Sequence, residues 1–268
     1  MINARELIGT HDVLLLTLDT LRYDVARNAL THGRTPNLQR LLPGQAWEQR
    51  HTPGNFTFAA HQAFFAGFLP TPVAPGKHPR LFAATFFGSE TTSERTFVFE
   101  ASNLVTGLEQ VGYHTICIGG VGFFNRLTPL GCVLPDLFQE SHWEESMGVT
   151  SADSTARQVQ LASKRLSCLS RSQRVFLFVN ISAIHQPNCI FAPPAAEDTP
   201  ATQAAALAYV DQQLPNLFDS LACRAPTLCI LTSDHGTTYG EDGYWGHRVS
   251  HETVWNVPYA EFVLPCRV

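Results

Sequence analysis

The sequence predicts an α/β fold: a mostly parallel central sheet with helices on both faces. Three observations carry that prediction: short apolar runs of strand length, helical patterns between them, and polar residues directly after the runs. The runs 13–18, 115–118, 175–180 and 228–232 are four to six residues long and rich in Val, Ile, Leu and Phe. That composition suits strands buried on both faces. Of the helices, 36–42 starts with Thr35 as an N-cap candidate and Pro36 at its first position. The pattern over 103–111 stops at Gly112, and 151–169 and 201–221 repeat apolar residues at helical spacing. Strands alternating with helices give a parallel sheet, and such sheets bind ligands beyond the carboxyl ends of their strands. The segments 69–80 and 192–201 are rich in Pro and small residues and are expected to be surface loops of a single domain spanning 1–268.

Composition narrows the function classes. With 44% hydrophobic and 15% charged residues in 268, the chain is globular and can bury a large core. A net charge of -5 offers no general attraction for nucleic acid or an anionic membrane, so no nucleic-acid or membrane partner is expected. The seven cysteines form no C-x-x-C pair, which excludes a zinc knuckle or redox motif and suggests buried thiols. Near the N-terminus the only apolar run, VLLL, is far shorter than a leader core or a spanning helix, so a cytoplasmic location is expected.

Candidate chemistry gathers where the runs end. Asp19 follows the first run, and Asp234 and His235 follow the last, in CILTSDHGTTYGEDGYWGH. Carboxylate and imidazole together suit Zn²⁺ or Mn²⁺. An isolated Asp-His pair reads more simply as a turn cap and a buried polar residue, so it is Asp19, at the same sheet edge, that favours a metal site. In HTPGNFTFAAHQAFFAGFLP, Thr57 falls at the start of a helix closed by Gly67. Free N–H groups and the helix dipole there stabilise an alkoxide and an incoming phosphate or sulfate oxygen. Position alone does not separate a nucleophile from an N-cap at Thr57; a divalent ion bound to its hydroxyl would, and Thr57 is expected to join the metal ligands in that way. His61 shares its helical face and either orients substrate or fills a polar gap. His185 ends FLFVNISAIH, and His247 and His251 lie in GYWGHRVSHE. Singly each reads as a satisfied polar residue; together they suit contacts to a transferred anion and protonation of a leaving oxygen.

These fragments, in this order, resemble the alkaline phosphatase/sulfatase superfamily over most of the chain. VLLLTLDTLRYD resembles its opening strand with the first metal-binding Asp, and TPNLQRL the helix that follows. NFTFAAHQAFFAGFLP resembles the nucleophile helix, LEQVGYHTICIGG the next helix-strand unit, FLFVNISAIHQP the substrate-histidine strand and LTSDHGTTYGEDGYWGH the distal metal motif. The resemblance implies an alkaline-phosphatase-like fold, with Asp19, Asp234 and His235 as metal ligands and Thr57 as nucleophile. It further implies that His185 and His247 contact substrate, and places His61 where members carry Arg or His beside the nucleophile.

The departures carry information. Sulfatases of the group use Cys or Ser within C/S-x-P-S/A-R, where this chain reads Thr57-Phe58-Ala59-Ala60-His61. Thr20 replaces their second Asp and Gly120 the Lys of their G-K segment. Two-zinc members place an Asp and a His close together on the later strand; here Asn180 to His185 contains no carboxylate. Threonine nucleophiles with one strong metal site occur in the group's phosphoethanolamine transferases, which are membrane-anchored. The expectation is a metal-dependent hydrolase or transferase of phosphate or phosphonate esters, taking a small-molecule anionic ester and using Zn or Mn, with one ion or two. A sulfate ester hydrolase and an inactive binding module of the same fold are the alternatives.

Overall fold

A computed structural model describes residues 2–67, 80–82, 96–98 and 103–267. In chain order its elements are β1 (Asp12–Leu18), α1 (Tyr23–Thr31), α2 (Pro36–Leu41), β2 (Glu48–His51), α3 (Thr57–Ala66), β3 (Arg80–Phe82) and β4 (Thr96–Val98). There follow α4 (Leu104–Gln110), β5 (His114–Ile118), α5 (Pro129–Val133), β6 (Glu140–His142), α6 (Ser154–Cys168) and β7 (Val175–Ile181). The last are α7 (Pro200–Ala222), β8 (Thr227–Thr232), β9 (Thr238–Tyr239), β10 (Trp245–Gly246), α8 (Glu252–Trp255) and β11 (Asn256–Leu264). The seven-stranded sheet runs β2-β11-β8-β1-β7-β5-β6. Strands β8, β1, β7, β5 and β6 are parallel, and β11 lies antiparallel to both β8 and β2.

Strand side chains alternate between faces, so β1 feeds two cores. Leu14, Leu16 and Leu18 pack in one cluster with Val25 and Ala26 of α1, Leu38 of α2, Val159 and Ala162 of α6 and Leu207 and Leu214 of α7. Val13 and Leu15 join Phe176, Phe178, Phe65 of α3, Val105 and Leu108 of α4 and Phe124 on the other face. Phe123 and Phe124 thus serve packing, Phe124 being buried against His61 and Phe178.

Sequence expectations fail locally where tertiary partners override them. Thr35 occupies the N-cap of α2 but makes no side-chain capping bond. Asp211 of α7 does that work, accepting from the N–H groups of Asn37 at 3.1 Å and Leu38 at 2.7 Å. The contact is reciprocal: Pro215 inside α7 has no N–H for the Asp211 carbonyl, and Asn37 Nδ2 donates to that carbonyl at 3.0 Å. The expected loop 192–201 ends in helix, since Thr199 forms a capping box and α7 begins at Pro200. The loop 69–80 lies outside the described residues except for Arg80, as does most of the aromatic-rich stretch 81–99. Of the seven thiols, all free, only Cys117 and Cys229 are buried, and Cys168 and Cys223 are exposed. No helix among the described residues is long and apolar enough to cross a membrane.

On the outer strand β6, Glu140 gathers His114 Nε2 at 3.0 Å, His142 Nε2 at 3.2 Å and Arg165 at 2.8 Å. Burial works to raise its pKa, but these hydrogen bonds outweigh it and hold the carboxyl below its ordinary range. A depressed folded-state pKa gives stability that is present above the unfolded value, about 4.3, and lost as pH falls through the folded value. Glu140→Gln should therefore lower the melting temperature near neutrality, and the difference should close below about pH 4. Melting curves across that range check it.

Candidate active site

The register sets the geometry. Leu18 pairs with Ile181 and Thr17 with Thr232, so Asp19, Ser182 and Ser233 leave the sheet at one edge. Asp19 is fully buried. Its Oδ2 accepts from Asn180 Nδ2 at 3.0 Å, while Asn180 Oδ1 accepts from Val121 N–H at 3.1 Å. Asn180 therefore orients Asp19. Gly120 lies against the same strand: a Cβ there would meet Asn180 O at 2.4 Å and Ser182 Cβ at 2.8 Å. Thr20 adopts φ +63, a conformation costing a β-branched residue about 1–3 kcal/mol. It turns the Thr20 N–H onto Asp234 Oδ1 at 3.2 Å, so the backbone at this position supports Asp234.

Asp234 Oδ1 also accepts from the His235 N–H at 3.0 Å, and Thr52 Oγ1 donates to the Asp234 carbonyl. His235 Nδ1–H donates to Gly236 O at 2.8 Å. In a neutral ring that bond fixes the tautomer and leaves Nε2 with its lone pair. Gly236 is required by close approach, since a Cβ would fall 1.8 Å from Thr253 O.

Thr57 is the first residue of α3, and the N-cap is Phe56, which makes no side-chain cap. The hydroxyl is thus not spent on capping. It lies 3.5 Å from Asp19 Oδ2 and 3.3 Å from His235 Nε2. Gly54 lets the preceding loop close onto α3, because a Cβ there would meet Ala60 N at 2.5 Å.

The histidines separate. His61 is fully buried, its Nδ1–H donating to Thr57 O at 2.8 Å and its Nε2 accepting from Thr17 Oγ1 at 3.0 Å. Phe64, Phe65, Phe124 and Phe178 surround the ring, and burial lowers its pKa to about 3. The expected substrate contact is corrected: His61 has neither a free nitrogen nor exposed surface, and it braces the backbone under Thr57. His251 is also displaced from the expected role. It caps α8 through Nδ1, accepting from Thr253 N–H, and its Nε2 faces Asp242. His185 and His247 do converge, with ring centroids 5.6 Å apart and His247 4.7 Å from His235. His185 Nδ1–H donates to Gln186 O at 2.6 Å, leaving Nε2 free, and His247 Nδ1 is buried without a partner. Arg248 was missed in the sequence. It takes φ +69, its N–H donates to Asn55 O at 2.8 Å, and its charge acts on both His235 and His247. A cation beside the His247 that resembles a substrate contact was its one sequence signal.

Asp19, Asp234 and His235 each present a ligand atom within 4.8 Å of the others, and all are buried. Burial raises both carboxyls above their ordinary range, and the charge of Asp234 raises Asp19 further. Asp19 Oδ1 and Asp234 Oδ2 have no hydrogen-bond partner among the described residues. Two orphaned carboxylate oxygens beside an unprotonated imidazole nitrogen fit a divalent cation, which would supply the compensating charge the chain lacks there. Zn²⁺ at about a hundredfold over its Kd should stabilise the fold by about 2.7 kcal/mol. Asp234→Asn should remove that gain while its metal-free form melts no lower than metal-free wild type. Thermal melts with chelator and with Zn²⁺ read both; a gain retained in the variant would rule Asp234 out as a ligand.

The carboxyl edge of the parallel sheet thus gathers a buried carboxylate-imidazole cluster and the Thr57 hydroxyl at a helix N-terminus. The sequence matches the Sulfatase family over residues 11–260, and the chain belongs to that family. A search of curated sequences finds no match. Solved structures share the fold. The C-terminal periplasmic domain of phosphoethanolamine transferase EptC from Campylobacter jejuni aligns at 14% identity and TM-score 0.61, over 95% of this chain and 80% of that one. The corresponding EptC domain from Escherichia coli, in complex with Zn, aligns at 13% and 0.62, over 95% and 73%. A protein of the alkaline phosphatase superfamily from Vibrio parahaemolyticus aligns at 18% and 0.59, over 94% and 60%.

Proposed function

We propose that the protein transfers or hydrolyses phosphate or phosphonate esters through Thr57. The observation that carries this reading is the uncapped Thr57 hydroxyl within 3.5 Å of both Asp19 and His235, at a helix N-terminus that favours negative charge. A divalent ion, Zn or Mn, held by Asp19, Asp234 and His235 would supply the positive charge that acidifies the hydroxyl and neutralises the transferred group. Thr57 Oγ1 gives its proton up to the surrounding water as it attacks phosphorus in line, the bond to the leaving oxygen breaks, and phosphothreonine forms. His185 Nε2 carries the proton to the leaving oxygen, and His247 and Arg248 bind the oxygens of the transferred group. Water or an acceptor hydroxyl then attacks from the opposite side and releases Thr57. The solved phosphoethanolamine transferases favour transfer to an acceptor as strongly as hydrolysis.

Turnover of p-nitrophenyl phosphate, bis-p-nitrophenyl phosphate and p-nitrophenyl sulfate by Zn- and Mn-loaded protein, with and without ethanolamine as acceptor, tests the reading. Preference for a phosphorus ester supports it. Preference for the sulfate would favour a sulfatase, against the loss of the Lys at Gly120. Stoichiometric metal with no turnover of any ester would favour a binding module.

A further inference from the structure

Beyond β5 from Asp19, at the carboxyl end of β6, lies an open cleft of about 540 Å³. Trp143, Met147 and Leu161 give it apolar lining, and Arg126, Arg157 and Lys164 give it charge, against Glu144 as the sole lining carboxylate among the described residues. Arg157, Leu161 and Lys164 recur at the spacing of one helical face of α6, while Val159, Ala162 and Leu166 are buried in the core. Neither Arg157 nor Lys164 has an acidic partner among the described residues. Arg126 is held in place at φ +56 by Asp136 at 2.7 Å and Ser141 Oγ at 2.8 Å. In a chain of net charge -5, a concave wall that keeps two unpaired cations, Arg157 and Lys164, beside one acid is a local positive potential of the kind that captures anions.

The cleft is also tied to the candidate active site. Trp143 Nε1 donates to Gly120 O at 3.1 Å. Gln158 Nε2 then bridges Gly119 O and Asn180 O, and Asn180 donates to Asp19.

We infer that this cleft binds the phosphate of a small phosphorylated organic molecule, with its carbon skeleton against Trp143 and Leu161. The phosphate is drawn by Arg157 and Lys164, whose side chains carry no competing ion pair, and Arg126 supplies a fixed guanidinium. Two sources share this chemistry: a second phosphate on the substrate itself, or a separate ligand. The inference does not depend on the ester chemistry proposed above.

Calorimetry on chelator-treated protein with glycerol 3-phosphate, and with glycerol as the uncharged control, decides it. Phosphate bound anywhere other than the cleft would be left unchanged by substituting Arg157 and Lys164. Saturable binding of glycerol 3-phosphate but not glycerol is expected, unchanged by Thr57→Ala and weakened at least about tenfold by Arg157→Gln/Lys164→Gln. Both substituted side chains are exposed, so the variant should melt with wild type. No binding by wild type, or equal binding by the double variant, overturns the inference. In metal-loaded protein, a KM raised by the double substitution for a doubly phosphorylated substrate, but not for p-nitrophenyl phosphate, assigns the cleft to the substrate. Glycerol 3-phosphate that alters p-nitrophenyl phosphate turnover in wild type but not in the double variant assigns it to a separate ligand. If no ester is turned over, the proposed reaction fails while the calorimetry still decides the cleft.

Discussion

Thr57→Ala should lose about 10³-fold or more in kcat while its fold and metal affinity stay near wild type. The hydroxyl is the group proposed to form the covalent intermediate, and losing such a group costs more than losing a binding contact. The methyl group and the backbone of α3 remain, and Asn180 still holds Asp19. Thr57→Ser keeps the oxygen and should retain most of the rate. Steady-state turnover of the preferred ester, with mass spectrometry of acid-quenched enzyme for phosphothreonine, reads the effect. Undiminished turnover by Thr57→Ala would remove Thr57 from the chemistry and leave the cluster to act on a water molecule.

At the opposite edge of the sheet, Arg224→Leu should destabilise the protein by about 3–5 kcal/mol. Arg224 Nε donates to Asp12 Oδ2 at 2.8 Å, and its other nitrogens serve the carbonyls of Leu166, Leu169, Ser170 and Gln173. Burial raises the Asp12 pKa despite hydrogen bonds from Val175 N–H and Arg224, so the ion pair does not fully offset its own desolvation. Removing one partner is nevertheless costly, because Asp12 stays buried with only Arg174 nearby at 3.2 Å and the carbonyls after α6 lose their donor. A loss of that size is a large share of a typical stability of about 5–15 kcal/mol and lowers the melting temperature by about 10 °C. Asp12→Asn should cost less, since its side-chain oxygen can still accept from Val175 N–H. Activity below the transition should be unchanged in both, because Asp12 and Arg224 lie at the amino end of β1, away from Asp19. Urea melts alongside turnover separate this from an effect on the site.

The parallel core was legible because its strands are continuous apolar runs: β1, β5, β7 and β8 each fall within a residue of the expected spans. The antiparallel strand β11 was not, since Pro258 and Glu261 break its pattern and its pairing with β2 and β8 is long-range. Asp19, Thr57, Asp234 and His235 were legible as strand-end or helix-start residues, and they do converge. His61 and His251 were misread because sequence gives the imidazole but not what occupies its nitrogens: Thr17 and the Thr57 carbonyl for one, Thr253 and Asp242 for the other. Capping of α2 by Asp211 escaped for the same reason, its partner lying 173 residues away from Leu38.

The close fit at Gly120 makes the order of evolutionary steps matter. A lysine cannot be introduced here by one substitution, because even its Cβ would collide with Asn180 O and Ser182 Cβ, and Gln158 Nε2 stands 3.0 Å away. The strand β7 and the Gln158 bridge would have to give way first, and Gln158 and Asn180 are the residues that steady Asp19. Each intermediate on a path to lysine would therefore weaken the present site before the lysine could serve another. The backbone contact acts as a ratchet, and a library randomising position 120 alone should return glycine, whichever ester is used for selection.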